Sequence, residues 1–141
     1  MIVVDTNVAS ELMRPAPDAR VIAWVRAQHG GDLFTTAITV AEIGYGVERL
    51  PEGARKALLR ATAAHVFSAF AEQVLAFDAD AAALYGAIVA ARERGGAPID
   101  GFDAQIAAIC RRHSAALATR NVKDFAQTGV EIIDPWSAGR L

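Results

Sequence analysis

One cysteine in 141 residues leaves no disulfide framework. Its place on an apolar helical stretch makes Cys110 a small core residue in a reducing, cytoplasmic setting. No apolar run reaches the length of a bilayer, and no basic segment followed by an apolar one opens the chain, so neither a membrane span nor a secretory signal is expected. His29, His65 and His113 are scattered, and none stands in a zinc-binding spacing. Phosphate-cradling glycine loops and nucleophile-elbow serines are both missing, which removes the usual nucleotide-binding and covalent mechanisms. Aromatic residues make up only 7% and lie too far apart to suggest a base-stacking platform. Charged residues are also sparse, at 21%, with a net charge of −2, so the surface is no general electrostatic sponge for nucleic acid.

Apolar residues, at 53%, are abundant enough to bury the core of one domain spanning residues 1–141. Short apolar runs at 1–4, 74–77, 115–118 and 130–133 read as buried strands. Alanine-rich segments with helical spacing lie at 19–28, 40–50, 54–70, 79–94 and 102–113. Pro15 and Pro17, Gly30-Gly31, Pro51-Glu52-Gly53 and Gly95-Gly96-Ala97-Pro98 punctuate them. Strands separated by helices require crossover connections, so the expected class is α/β, with a small, mainly parallel β-sheet flanked by helices.

Against this apolar background the acids stand out. Asp5 closes Ile2-Val3-Val4, Glu42 interrupts Ala37-Ile38-Thr39-Val40-Ala41-Glu42-Ile43, and Asp103 heads Asp103-Ala104-Gln105-Ile106-Ala107-Ala108-Ile109. An acid at the end of a buried parallel strand faces the crevice where such sheets bind ligands. Two carboxylates about 4 Å apart repel by about 4 kcal/mol at an effective dielectric near 20. A hard divalent cation with oxygen ligands relieves that repulsion. Each acid also has a plainer reading. Asp5 is a good N-cap, although Thr6 and Asn7 offer the same service. Thr39-x-x-Glu42 matches a capping box. Asp103 lies on the apolar stripe of its helix, while Asp100, three residues earlier, is the better cap; offsetting the helix dipole is its alternative role. Thr119-Arg120-Asn121-Val122-Lys123-Asp124 follows a strand, so Asn121 and Asp124 either reach the crevice or simply form a turn. Arg120 and Lys123 flank the suspected site, whereas Arg14, Arg49, Arg111 and Arg112 read mostly as solvated surface.

Taken together, Ile2-Val3-Val4-Asp5-Thr6-Asn7-Val8, the segment from Thr36 to Ile43, the Asp103 segment and Ala118-Thr119-Arg120-Asn121 closely resemble a PIN domain of the FitB-like VapC group. These are ribonuclease toxins of bacterial type II toxin-antitoxin systems. The likeness runs from Asp5 to Pro135-Trp136. It implies that Asp5, Glu42 and Asp103 are the acids of a magnesium (Mg²⁺) or manganese (Mn²⁺) site. It also implies that Asn121 stands on the more variable fourth position, with Asp124 providing or replacing that carboxylate through a water. Gly44 follows Ile43 where many relatives carry arginine, and Asp100 adds a negative charge near the site. The resemblance further implies an RNA substrate, a homodimer and a cognate antitoxin whose C-terminal segment fills the catalytic groove. The expected activity is metal-dependent hydrolysis of RNA phosphodiesters. The competing classes are a non-catalytic PIN-like module that binds protein or RNA, and a metal-dependent phosphatase of small substrates.

Overall fold

The structure is a computed structural model that describes residues 1–137. The chain runs through Ile2–Val4 (β1), Thr6–Leu12 (α1), Ala19–Ala27 (α2), Leu33–Thr36 (β2), Ala37–Glu48 (α3) and Ala54–Ser68 (α4). Val74–Leu75 (β3), Ala79–Arg94 (α5), Gly101–Arg112 (α6), Ala116–Ala118 (β4) and Ile132–Ile133 (β5) follow, with 3₁₀ turns at Gly30–Asp32 and Val122–Phe125.

The strands form one sheet in the order β3-β2-β1-β4-β5, and every neighbouring pair is parallel. Ile2 registers with Leu33 on one side and Ala116 on the other, so β1 is buried at the centre, as its β-branched run requires. Alternation then sends Val3 and Leu117 to one face and Val4 and Ala118 to the other. The first face packs on Ile88, Ile106, Cys110 and Phe125, brought by α5, α6 and the second 3₁₀ turn. The second packs on Val8, Val21, Phe70 and Trp136. The α/β class read from the sequence is therefore the one observed. Among the described residues, no helix is long and apolar enough to cross a membrane.

Two local features differ from the sequence reading. Leu33-Phe34-Thr35-Thr36 forms a strand where none was expected. Its threonines dilute the apolar signal, and the run passes directly into α3 without a turn residue. That helix also starts earlier than expected. Thr36 ends β2 in an extended conformation, and its Oγ1 accepts from Thr39 N at 3.1 Å, which makes Thr36 the N-cap. The Thr39/Glu42 capping box is therefore not formed, and Glu42 sits in the second turn of α3 with its carboxylate free for other contacts.

Candidate carboxylate site

The strand order reverses at β1. From there the chain builds outward to β2 and β3, then crosses over to β4 and β5. Crevices beyond the carboxyl ends of strands at such a point are where parallel sheets bind ligands. Asp5 and Thr119 emerge there side by side, and Asp5 N continues the β1–β4 pairing by donating to Ala118 O at 2.9 Å.

Asp5 is only 3% exposed. Its Oδ1 accepts from Thr6 N and its Oδ2 from Thr119 Oγ1, both at 2.8 Å. Asp5 is thus the N-cap of α1 as well as a cleft acid, and the two roles coexist. Thr6 and Asn7 do other work. Thr6 Oγ1 donates to Glu42 Oε1 at 2.8 Å and lies 3.1 Å from Thr39 Oγ1. Asn7 Nδ2 donates to Thr119 Oγ1 at 3.1 Å, while its Oδ1 accepts from Arg120 N at 3.3 Å. Asn121 N also donates to Thr119 Oγ1, at 3.0 Å, so one threonine hydroxyl ties Asp5, Asn7 and Asn121 together.

Asp103 enters from the first turn of α6. Asp100 caps that helix, its Oδ2 accepting from Phe102 N at 3.0 Å and Asp103 N at 3.4 Å. The carboxylate of Asp103 accepts no hydrogen bond among the described residues, and no ion pair among them involves Asp5, Glu42, Asp103 or Asp124. Uncompensated charge in a half-buried place shows in its acidity. Burial, followed by the charges of Asp5, Asp100, Asp124 and Glu42, pushes the Asp103 carboxyl up to about 7. Burial also raises Glu42, against the lowering effect of its Thr6 hydrogen bond, with Asp5 and Asp100 adding to the rise. Asp5 is raised by burial despite Thr119 and Thr6, and Asp124 adds to it.

The acids line a cleft of about 540 Å³ whose wall also includes Thr6, Asn7, Ser10, Glu11, Arg14, Arg120, Asn121 and Trp136. The geometry therefore gathers Asp5, Glu42, Asp103 and Asn121. Asp124 is exposed and stands off the wall, close enough for its charge to raise both Asp5 and Asp103. Of the two flanking cations, Arg120 lines the cleft with its guanidinium 5.1 Å from the Trp136 ring centroid, and Lys123 does not line it. Among the described residues, no three His, Cys, Asp or Glu side chains stand close enough to enclose an ion unaided. The donor set nonetheless suits a hard cation: carboxylate oxygens, no basic partner, and one acid that a cation can deprotonate near neutrality.

Sequence reasoning missed four residues, one of them Arg14, which reads as solvated surface in the sequence and lines the cleft in the structure. Thr119 was visible only as part of a motif, although a hydroxyl at the exit of a buried strand is a signal for such a role. Asn7 was read as a spare cap. Glu11 is buried, with Oε2 accepting from Asp18 N at 2.9 Å and a 3.3 Å pair to Arg14, and nothing in its spacing points to the cleft.

Fold and cleft define a class of small parallel α/β proteins whose acids gather where the strand order turns back. Comparison with known proteins narrows that class. The PIN domain matches residues 2–131. The VapC ribonuclease Y4jK of Sinorhizobium fredii is 40% identical over 137 residues, covering 96% of this chain and 98% of the relative. Toxin FitB of Neisseria gonorrhoeae is 38% identical, covering 96% and 99%. The solved structure of FitAB bound to an IR36 DNA fragment aligns with a TM-score of 0.89 at 38% identity, covering 96% of each chain. The chain belongs to the PIN-domain family, in the group of the VapC and FitB proteins.

Proposed function

We propose that this protein is a metal-dependent endoribonuclease, the toxin of a type II toxin-antitoxin pair, with its catalytic centre in the carboxylate cleft. The observation that carries this reading is the convergence of Asp5, Glu42 and Asp103 on one cleft with no basic partner. Relatives named as a VapC ribonuclease and a FitB toxin support the substrate class.

Asp5 and Asp103 would hold the ion, Mg²⁺ or Mn²⁺, and Glu42 and Asp124 would serve it through waters. Ligation through water suits acids that do not close a cage by themselves, because Mg²⁺ keeps several of its waters. When bound, such an ion supplies an acidified water and polarises the phosphoryl oxygen. The chain's own residues do the rest. Thr119 and Thr6 N–H fix the rotamer of Asp5, Thr6 fixes Glu42, and Asn121 faces the cleft as a neutral hydrogen-bonding group. Arg120, spread over Trp136, and Arg14 give the lip two cations for the phosphates on either side of the scissile one. The antitoxin of this pair blocks the cleft with a C-terminal segment, and the toxin acts as a homodimer; the FitAB complex supports a protein partner of this kind.

Asp5→Asn keeps the shape of the side chain but removes a charge that binds cations. The purified variant is expected to lose EDTA-sensitive RNA cleavage, by about a hundredfold or more. Cleavage at the wild-type rate would overturn the assignment.

A further inference from the structure

Arg92 is a buried cation that does not touch the cleft. It lies in the last turn of α5, 5% exposed, and no carboxylate pairs with it among the described residues. A buried guanidinium is tolerable only if its donors are used. Here Nε donates to Ala97 O at 2.6 Å, and Nη1 donates to Asp124 O at 2.7 Å and to Ala126 O at 2.9 Å. The fork therefore clasps two segments that no sheet ladder joins. One, residues 95–100, leads into α6, whose first turn carries Asp103. The other holds Asn121 and Asp124. The same segments meet again at Gly95, where an added Cβ would stand 3.2 Å from Gln127 Oε1. The carboxylate of Asp124 accepts no hydrogen bond among the described residues, so its place follows from its backbone, and Arg92 holds that backbone by the Asp124 carbonyl itself.

We propose that Arg92 is a positioning residue: it sets the separation of Asp124 from Asp103 and thereby tunes the affinity of the cleft for a divalent ion. This rests on the metal-dependent reading above. Lysine is a poor substitute, because a single ammonium cannot reproduce a planar fork that serves Ala97 O on one side and Asp124 O and Ala126 O on the other.

The test is a double-mutant cycle of Arg92→Lys and Asp124→Asn, with Mn²⁺ binding followed by calorimetry and RNA cleavage followed as a function of Mn²⁺. Folding of each variant is checked by circular dichroism. Arg92→Lys is expected to weaken Mn²⁺ binding about tenfold, and to have no further effect once Asp124 is already Asn. Equal losses in both backgrounds, or wild-type Mn²⁺ affinity in Arg92→Lys, would overturn the proposal. Should Arg92→Lys fail to fold, hydrogen exchange in the wild-type chain decides. Mn²⁺ is expected to slow exchange of the Arg92 Nε–H and of the Asp124 and Ala126 amides together, and an unchanged Arg92 Nε–H would overturn it. A wild-type chain that binds Mn²⁺ without EDTA-sensitive cleavage would sink the ribonuclease reading and leave the binding cycle to judge Arg92.

Discussion

On the proposed reading, Asp103 carries the opposition between stability and chemistry in one side chain. Its acidity is shifted from the ordinary 3.8 to about 7, so the folded state holds the proton more tightly than the unfolded one. Stability of the ion-free protein should then fall as pH rises from about 4 to about 7 and level off above, because over that window the folded state binds more protons. Asp103→Asn removes the repelling charge. At pH 8 in EDTA it is expected to raise stability by about 1–2 kcal/mol, a full shift being reduced by solvent at a half-buried site. The same variant should lose EDTA-sensitive cleavage, and thermal melts run from pH 4 to pH 8 beside activity assays check both halves. Thr119 works the other way. Thr119→Val leaves the buried Asp5 Oδ2 without its donor and Asn7 Nδ2 and Asn121 N without an acceptor, and is expected to cost about 1–3 kcal/mol in urea unfolding.

At the scale of elements, the site is a set of helix and strand ends. Asp100→Ala removes the cap of α6 and should lower stability by about 1 kcal/mol. Calorimetric melts compared with those of the wild type measure it, and the release of the first turn that carries Asp103 should also weaken Mn²⁺ binding. Much of this arrangement was legible in the chain. A carboxylate closing a β-branched run, and another on the buried stripe of a helix with a better cap three residues earlier, marked two of the converging acids, although capping and the helix dipole offered plainer readings of the same residues. Other parts were not legible. The strand β2 hides because Thr35 and Thr36 are polar in composition yet fully buried, one donating to Val4 O and the other capping α3. The misplaced capping box is the same error, since two threonines at a three-residue spacing offered two starts and only the end of β2 chooses between them. Arg92 could not be read at all: its partners are carbonyls, which every residue has.

For the whole molecule, a ligand that binds only the folded state stabilises it by mass action. On the proposed reading, Mg²⁺ at a hundred times its dissociation constant should add about 2.7 kcal/mol to the wild type and close to nothing to Asp5→Asn. Paired melts with and without Mg²⁺ test this at constant ionic strength. The central position of β1 has a consequence of another kind. Asp5 is made early, but the threonine that orients it lies 114 positions further along, immediately after the strand that covers the second edge of β1. A nascent polypeptide interrupted anywhere before Ala116 lacks both the strand that flanks β1 and the hydroxyl that orients Asp5, so its cleft is incomplete. On the proposed reading, the hazard to the cell therefore begins only when synthesis is nearly over.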